Sequence, residues 1–197
     1  MRRLLAPALA VALLLTVPGA ASAATAAVSI GNNFFNPQNT TIGTGDTVRW
    51  TNSTSTYHNV TGASPLSYFR SPSIRNGATF SHTFPSSGTY PYRCTLHLNM
   101  SGSVRVRIGT SATSGTRDTT FTLRVSSAAA PSGYDFVVQK RDPGGSWADW
   151  RTITTATTTF RAGAGSATGT YSFRARLHRI SDNAASSWSP VRNLTVS

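Results

Sequence analysis

Residues 94–100 read Cys94-Thr95-Leu96-His97-Leu98-Asn99-Met100. They hold the only cysteine of the chain, one of its four histidines and one of its two methionines, the other being Met1. Three scarce side chains with metal-binding donors therefore share one short loop. Taken alone, Cys94 reads as a buried thiol behaving as a small hydrophobe, and its neighbours as loop residues. The concentration of all three is what asks for a chemical explanation.

The chain around this loop is 197 residues long, 39% hydrophobic and only 12% charged, enough for one large domain or two small ones. Tyr, Phe, Val and Thr recur in short alternating runs broken by Gly and Pro, and no apolar stripe of helical period appears after the N-terminus. The class is all-β. Arg2-Arg3, the apolar run Leu4 to Val17 and Ala21-Ser22-Ala23 read as a secretory signal over residues 1–23, so the exported chain is expected to begin near Ala24. The apolar run is short for a bilayer span and meets Pro18-Gly19, so no transmembrane segment is expected in the mature chain. A secreted or cell-wall-associated monomer follows as the expectation. With one cysteine, no internal disulfide can form.

Without Arg2 and Arg3 the chain keeps 16 basic residues against 6 acidic ones, a balance of about +10. Such a charge fits an acidic protein partner or an anionic cell envelope. Nucleic acid is disfavoured because the arginines are scattered singly, without interleaved aromatics.

Strands are expected at Ala27 to Ile30, at Asn39 to Ile42 and around Val48 and Trp50, the last two joined as a hairpin through Gly43-Thr44-Gly45-Asp46. His58 follows a polar run, where a loop re-enters a strand. Residues 62–77 lack periodicity and read as a variable excursion. Ala78, Phe80, His82 and Phe84 share one parity, which makes His82 a packed core histidine. Thr89 to Cys94 is a strand that delivers the cysteine, and Val104, Val106 and Ile108 form the strand that leaves the loop.

Thiolate, imidazole and thioether converge on one ion if the 94–100 loop joins two adjacent strands. A second imidazole must come from elsewhere, and His58, 36 positions before Cys94, is the natural donor. Two imidazoles and one thiolate would satisfy zinc. Met100 favours copper, because a thioether adds little to zinc affinity but tunes a copper couple.

On these residues, together with Phe35-x-Pro37, Gly45-Asp46-x-Val48-x-Trp50-x-Asn52, His58-Asn59-Val60, Gly88-Thr89-Tyr90-x-Tyr92-x-Cys94 and Gly102-x-Val104, the region 24–109 resembles a cupredoxin, a Greek-key β-sandwich blue copper domain. The short Cys-x2-His-x2-Met loop is closest to the amicyanin type. The resemblance implies one copper ion, with His58, Cys94 and His97 as equatorial ligands, Met100 as the axial one and Asn59 as the residue pinning the ligand loop. It further implies outer-sphere electron transfer to a redox protein docking near His97, framed by Leu96, Leu98 and either Pro65 or Leu66. No catalytic residues are expected. Multicopper enzymes of this kind carry His-x-His pairs and a histidine before the cysteine, where this chain has Arg93, and glutamate is absent altogether. The alternative reading is an extracellular copper-binding or cell-surface interaction protein in which redox cycling is incidental.

Residues 110–116 read as a Gly/Ser/Thr linker. Beyond them, Phe121 to Val125, Tyr134 to Lys140, Trp150 to Thr154, a Thr-rich run to Phe160, Tyr171 to Leu177 and Val191 to Val196 alternate as strands. Gly169-Thr170-Tyr171-Ser172-Phe173-Arg174-Ala175-Arg176 and Ser187-Trp188-Ser189-Pro190 resemble the last strands of a fibronectin type III module, a small immunoglobulin-like sandwich over 117–197. Its Trp147, Trp150 and Trp188 read as core or arginine-stacked residues in preference to a carbohydrate-binding face.

Overall fold

The computed structural model describes residues 23–63, 65–66 and 69–197, so the signal segment lies outside them except for Ala23. The described residues are all-β and include no helix long and apolar enough to cross a membrane.

Eight strands build the N-terminal sandwich: β1 (Thr25–Gly31), β2 (Phe34–Asn36), β3 (Asn39–Gly43), β4 (Thr47–Asn52), β5 (Thr61–Gly62), β6 (Thr79–Thr83), β7 (Gly88–Arg93) and β8 (Ser101–Arg107). One sheet runs β2-β1-β4-β6 and the other β3-β8-β7-β5. Alternation dictates what lies between them. Val28 and Ile30 from β1, Val48 and Trp50 from β4, Tyr90 and Tyr92 from β7, and Val104 and Val106 from β8 are all buried. Trp50 is the hub, with ring centroids 5.3 Å from Tyr92, 5.8 Å from Phe80 and 6.2 Å from Phe69. Gly102 of β8 admits no side chain, since a Cβ there would lie 2.6 Å from the Tyr92 ring and 2.7 Å from the Gln38 carbonyl.

The expected hairpin between Asn39–Ile42 and Val48–Trp50 is not formed. β3 pairs in parallel with β8, and β4 pairs in parallel with β1 and antiparallel with β6, so the Gly43–Asp46 turn crosses from one sheet to the other. The alternating pattern shows that each strand buries one face; it does not distinguish strands side by side from strands facing each other. Asp46 fixes the crossing by accepting hydrogen bonds from the Gly43 and Ala24 amides, both at 2.8 Å.

The C-terminal unit comprises β9 (Gly109–Thr110), β10 (Ser114–Gly115), β11 (Phe121–Arg124), β12 (Tyr134–Arg141), β13 (Ala148–Ile153), β14 (Thr157–Phe160), β15 (Gly169–Arg179), β16 (Ala184–Ala185) and β17 (Arg192–Val196). A three-stranded sheet, β14-β11-β9, faces a larger one, β10-β17-β15-β12-β13, with β16 paired to β15. Phe121, Leu123, Phe136, Val138, Phe160, Phe173 and Leu194 fill the space between. Residues 110–116, linker-like in composition, carry β10 and the end of β9, both paired into these sheets. Backbone pairing needs no apolar side chain, which is why composition alone reads this stretch as slack. Tyr171 donates its hydroxyl to the Ala167 carbonyl at 2.8 Å.

The two units meet along a backbone seam. Ser87 and Ser127 donate to the Val125 and Pro85 carbonyls at 2.8 Å, Thr89 and Ser187 exchange bonds of 2.9 and 3.2 Å, and the Thr89 hydroxyl donates to the Trp188 carbonyl at 2.8 Å. Leu66, from the loop after β5, is buried with the C-terminal core.

His82 packs where its parity puts it, with its ring 4.8 Å from both Phe69 and Phe84. Burial holds its pKa below the ordinary 6.5. The unfolded chain therefore takes up a proton that the folded chain resists, and stability is fullest above that ordinary value and declines as pH falls below it. In denaturant titrations of the metal-free protein, His82→Phe is expected to flatten the acid limb of the stability curve; an unchanged limb would contradict this.

Candidate metal centre

His58 is held by the stretch that sequence periodicity left unassigned. Its amide donates to the Ile74 carbonyl at 3.2 Å and its carbonyl accepts from Ile74 at 2.7 Å, while Val60 donates to the Ser71 hydroxyl at 2.8 Å. The side chain is completely buried. Its Nε2 lies 3.0 Å from the Thr56 hydroxyl and 3.1 Å from that of Thr54. With Nε2–H donating to either hydroxyl, the Nδ1 lone pair faces Cys94, the tautomer a ligand requires. Burial and then the nearby His97 hold the His58 pKa below its ordinary value, which favours the neutral ring.

Cys94 follows the last residue of β7 and is buried. Its amide donates to the Met100 carbonyl at 3.0 Å, closing the loop into a hairpin-like arch. Asn99 takes a left-handed conformation (φ 62°) just before the closure, a geometry asparagine tolerates better than most residues. Asn59 ties the arch to the His58 segment. Its side-chain oxygen accepts from the Thr95 amide at 2.8 Å, its Nδ2 donates to the Thr95 hydroxyl at 2.7 Å, and its own amide points at Cys94 Sγ from 3.5 Å.

The result is a compact donor group. Cys94 Sγ lies 3.9 Å from His58 Nδ1 and 3.5 Å from His97 Nδ1, and the three ligand atoms all fall within 4.8 Å of one another. A first-row ion bonded at about 2.0 Å to nitrogen and about 2.3 Å to sulfur spans N···S separations of roughly 3.3–4.2 Å over ordinary bond angles. Both separations fall in that range, so these residues fit a metal ion. Met100 is buried beside them and lines, with Cys94, His97, Leu98 and Asn99, a single surface depression. His97 is half-buried, and Leu96 and Leu98 beside it are exposed, Leu98 at 91%.

The expected frame of this surface needs correction. Leu66 is buried in the C-terminal core rather than displayed beside His97. Leu66 thereby joins the loop after β5 to the second unit. The contacts of Thr54, Thr56, Ser71 and Ile74 with the His58 segment left no signal in the sequence, because hydroxyls and backbone pairing have no periodicity.

A buried thiol between two imidazoles at one end of a β-sandwich is the arrangement of a copper-binding electron-transfer domain. Comparison with known proteins agrees: residues 23–107 match the copper binding proteins of the plastocyanin/azurin family. Amicyanin-alpha of Methylorubrum extorquens is 35% identical over 89 residues, covering 44% of this chain and 75% of that protein. Amicyanin of Paracoccus denitrificans is 38% identical over 65 residues, covering 32% of this chain and 50% of that protein. A solved purple cupredoxin from Nitrosopumilus maritimus is 34% identical with a TM-score of 0.40, covering 42% of this chain and 99% of that one. The chain belongs to the plastocyanin/azurin family of copper-binding proteins.

The Asn59–Thr95 tie holds the two ligand-bearing segments together, so Asn59→Ala is expected to lower copper affinity by about 10- to 100-fold. Competition titration against a chelator measures this. An unchanged affinity would mean that the arch is fixed without Asn59.

Proposed function

We propose that the protein is an exported electron carrier in which His58, Cys94, His97 and Met100 hold one copper ion. The observation that carries the reading is the His58–Cys94–His97 group, with three donor atoms within 4.8 Å and only one of the two rings reaching the surface. When bound, copper supplies a one-electron Cu(I)/Cu(II) couple. The chain's residues do the rest. Cys94 supplies the thiolate, and the Asn59 amide stabilises negative charge on its sulfur. The Thr54 and Thr56 hydroxyls fix the His58 ring. Met100 supplies the weak thioether. His97, between exposed Leu96 and Leu98, offers an imidazole edge to a redox partner docking on that face.

A carrier is favoured over a catalyst by the occupation of the remaining histidines. His82 is stacked on Phe69, and His178 sits 2.8 Å from Asp135 and 2.7 Å from Asn183. For the C-terminal unit we propose a fibronectin type III-like spacer that begins at β9. The facing sheets β14-β11-β9 and β13-β12-β15-β17 and the Tyr171–Ala167 bond, in the place of a tyrosine corner, support this.

The protein with Cu(II) is expected to show the intense visible charge-transfer band of a copper thiolate and reversible one-electron voltammetry, and Cys94→Ser to abolish the colour. A colourless protein that binds Cu(I) without reversible cycling would refute the carrier reading and leave copper binding with incidental redox. Met100→Leu is expected to keep the copper and raise its potential, because a donor to the oxidised ion is removed. An unchanged potential would show that Met100 is not a ligand.

A further inference from the structure

The outer face of the larger C-terminal sheet carries a run of alternating cations and indoles that the copper site does not use. The Arg141 guanidinium lies 5.0 Å from the Trp147 ring centroid, and Arg174 lies 4.4 Å from Trp147 and 4.7 Å from Trp188. Arg176 lies 4.4 Å from Trp188. The order is thus Arg141, Trp147, Arg174, Trp188, Arg176. β15 sets it up: Phe173, Ala175 and Leu177 turn into the core, which sends Arg174 and Arg176 to the opposite face.

Three guanidinium groups, charged at any physiological pH, are thereby gathered in one place. Burial, then the neighbouring Arg141 and Arg176, hold the Arg174 pKa below its ordinary value. Among the described residues no carboxylate is ion-paired with the ladder; Asp46 accepts from the Ala24 and Gly43 amides. Asp118 pairs with Arg161, Asp142 with Lys140, Asp182 with Arg179, and Asp135 with His178. Asp149 reaches Arg174 only through Gln139, which donates to Asp149 at 2.8 Å and accepts from Arg174 at 2.7 and 2.9 Å. Arg141 has the Ser172 hydroxyl at 3.3 Å, and the Arg176 Nε is buried without an acceptor. Indole stacking stabilises each cation by about 0.5–2 kcal/mol but leaves their mutual repulsion in place.

We propose that this ladder is a docking surface for a linear phosphodiester polymer of the cell envelope. Charge complementarity identifies the ligand: three cations without a carboxylate partner, set at successive rungs, match the repeating charge of a chain of phosphate groups. With two guanidinium groups over each indole, the ring faces are taken up, so neither sugar rings nor bases have an aromatic platform to stack on. The surface reads charge spacing, not bases. The choice of an envelope polymer rests on the export reading, which is why nucleic acid serves as the competitor in the test.

The test is binding of the full chain to poly(glycerol phosphate), followed by tryptophan fluorescence and affinity electrophoresis across a salt series. Binding that weakens steeply with salt is expected. Arg141→Gln with Arg176→Gln should lower affinity by about tenfold or more, whereas Arg141→Lys with Arg176→Lys should retain most of it. Arg49→Gln with Arg105→Gln, on strands of the other unit, removes the same charge and should have little effect. The copper-thiolate band and thermal midpoint of each variant report whether it has folded. Absence of binding by the parent chain, equal losses in the two glutamine pairs, or tighter binding to duplex DNA at equal phosphate would each overturn the proposal. N-terminal sequencing of protein recovered outside the cell tests export separately. Retention inside the cell would remove the envelope as the source, and failure of an exported chain to bind would overturn the ladder alone.

Discussion

Two imidazole nitrogens and one thiol sulfur held within 4.8 Å of one another form the constraint on which the N-terminal sandwich depends. Without an ion such donors share only long contacts to the Cys94 sulfur, and the burial of His58 and Cys94 denies them water. The ties that hold them are therefore found around them, in backbone pairs of His58 with Ile74 and Cys94 with Met100 and in the Ser71 and Asn59 side chains, which accept from the Val60 and Thr95 amides. A site fixed in this way meets its ion already arranged and rearranges little when charge changes. The proposed carrier role requires a site arranged in this way before the metal arrives.

How much of this could be read in advance follows from the kind of signal each part leaves. The donors were legible because Cys, His and Met are scarce and their spacing is chemical. The core was legible because Val48 and Trp50, or Val104 and Val106, alternate with polar residues as a one-sided strand must. The sheet assignment of β3 and β4 was not, because alternation is the same whether a strand's partner lies beside it or across the core. The role of residues 69–74 was hidden for a different reason. Phe69 packs through one ring, while Ser71 and Ile74 act largely through backbone and a hydroxyl, and none of these produces a period.

The seam between the units adds a constraint that composition could not reveal. Thr89 lies in the same strand that delivers Cys94, and it is pinned by Ser187 and Trp188 of the C-terminal unit. Close packing enforces the contact, since a Cβ on Gly88 would lie 2.5 Å from the Ser186 hydroxyl. The C-terminal unit is thus a second support for β7, applied at the end opposite the copper loop. Leu66 extends the grip to the loop that follows the His58 segment. The strand that delivers Cys94 is thus bonded to the second unit, and the loop after the His58 segment reaches its core through Leu66.

This arrangement has a consequence for docking. A β-strand rises about 3.3 Å per residue, which puts Cys94 roughly 17 Å beyond Thr89 along β7. Trp188, whose carbonyl receives the Thr89 hydroxyl, is also a rung of the arginine ladder. One rung of the ladder is therefore bonded to the end of β7 remote from Cys94. A polymer held on the ladder would leave the His97 face clear, and a redox partner on that face would leave the ladder clear. Because the backbone seam between them is hydrogen-bonded rather than a slack tether, the two surfaces keep a fixed relation. Attachment at one would then orient the other instead of obstructing it.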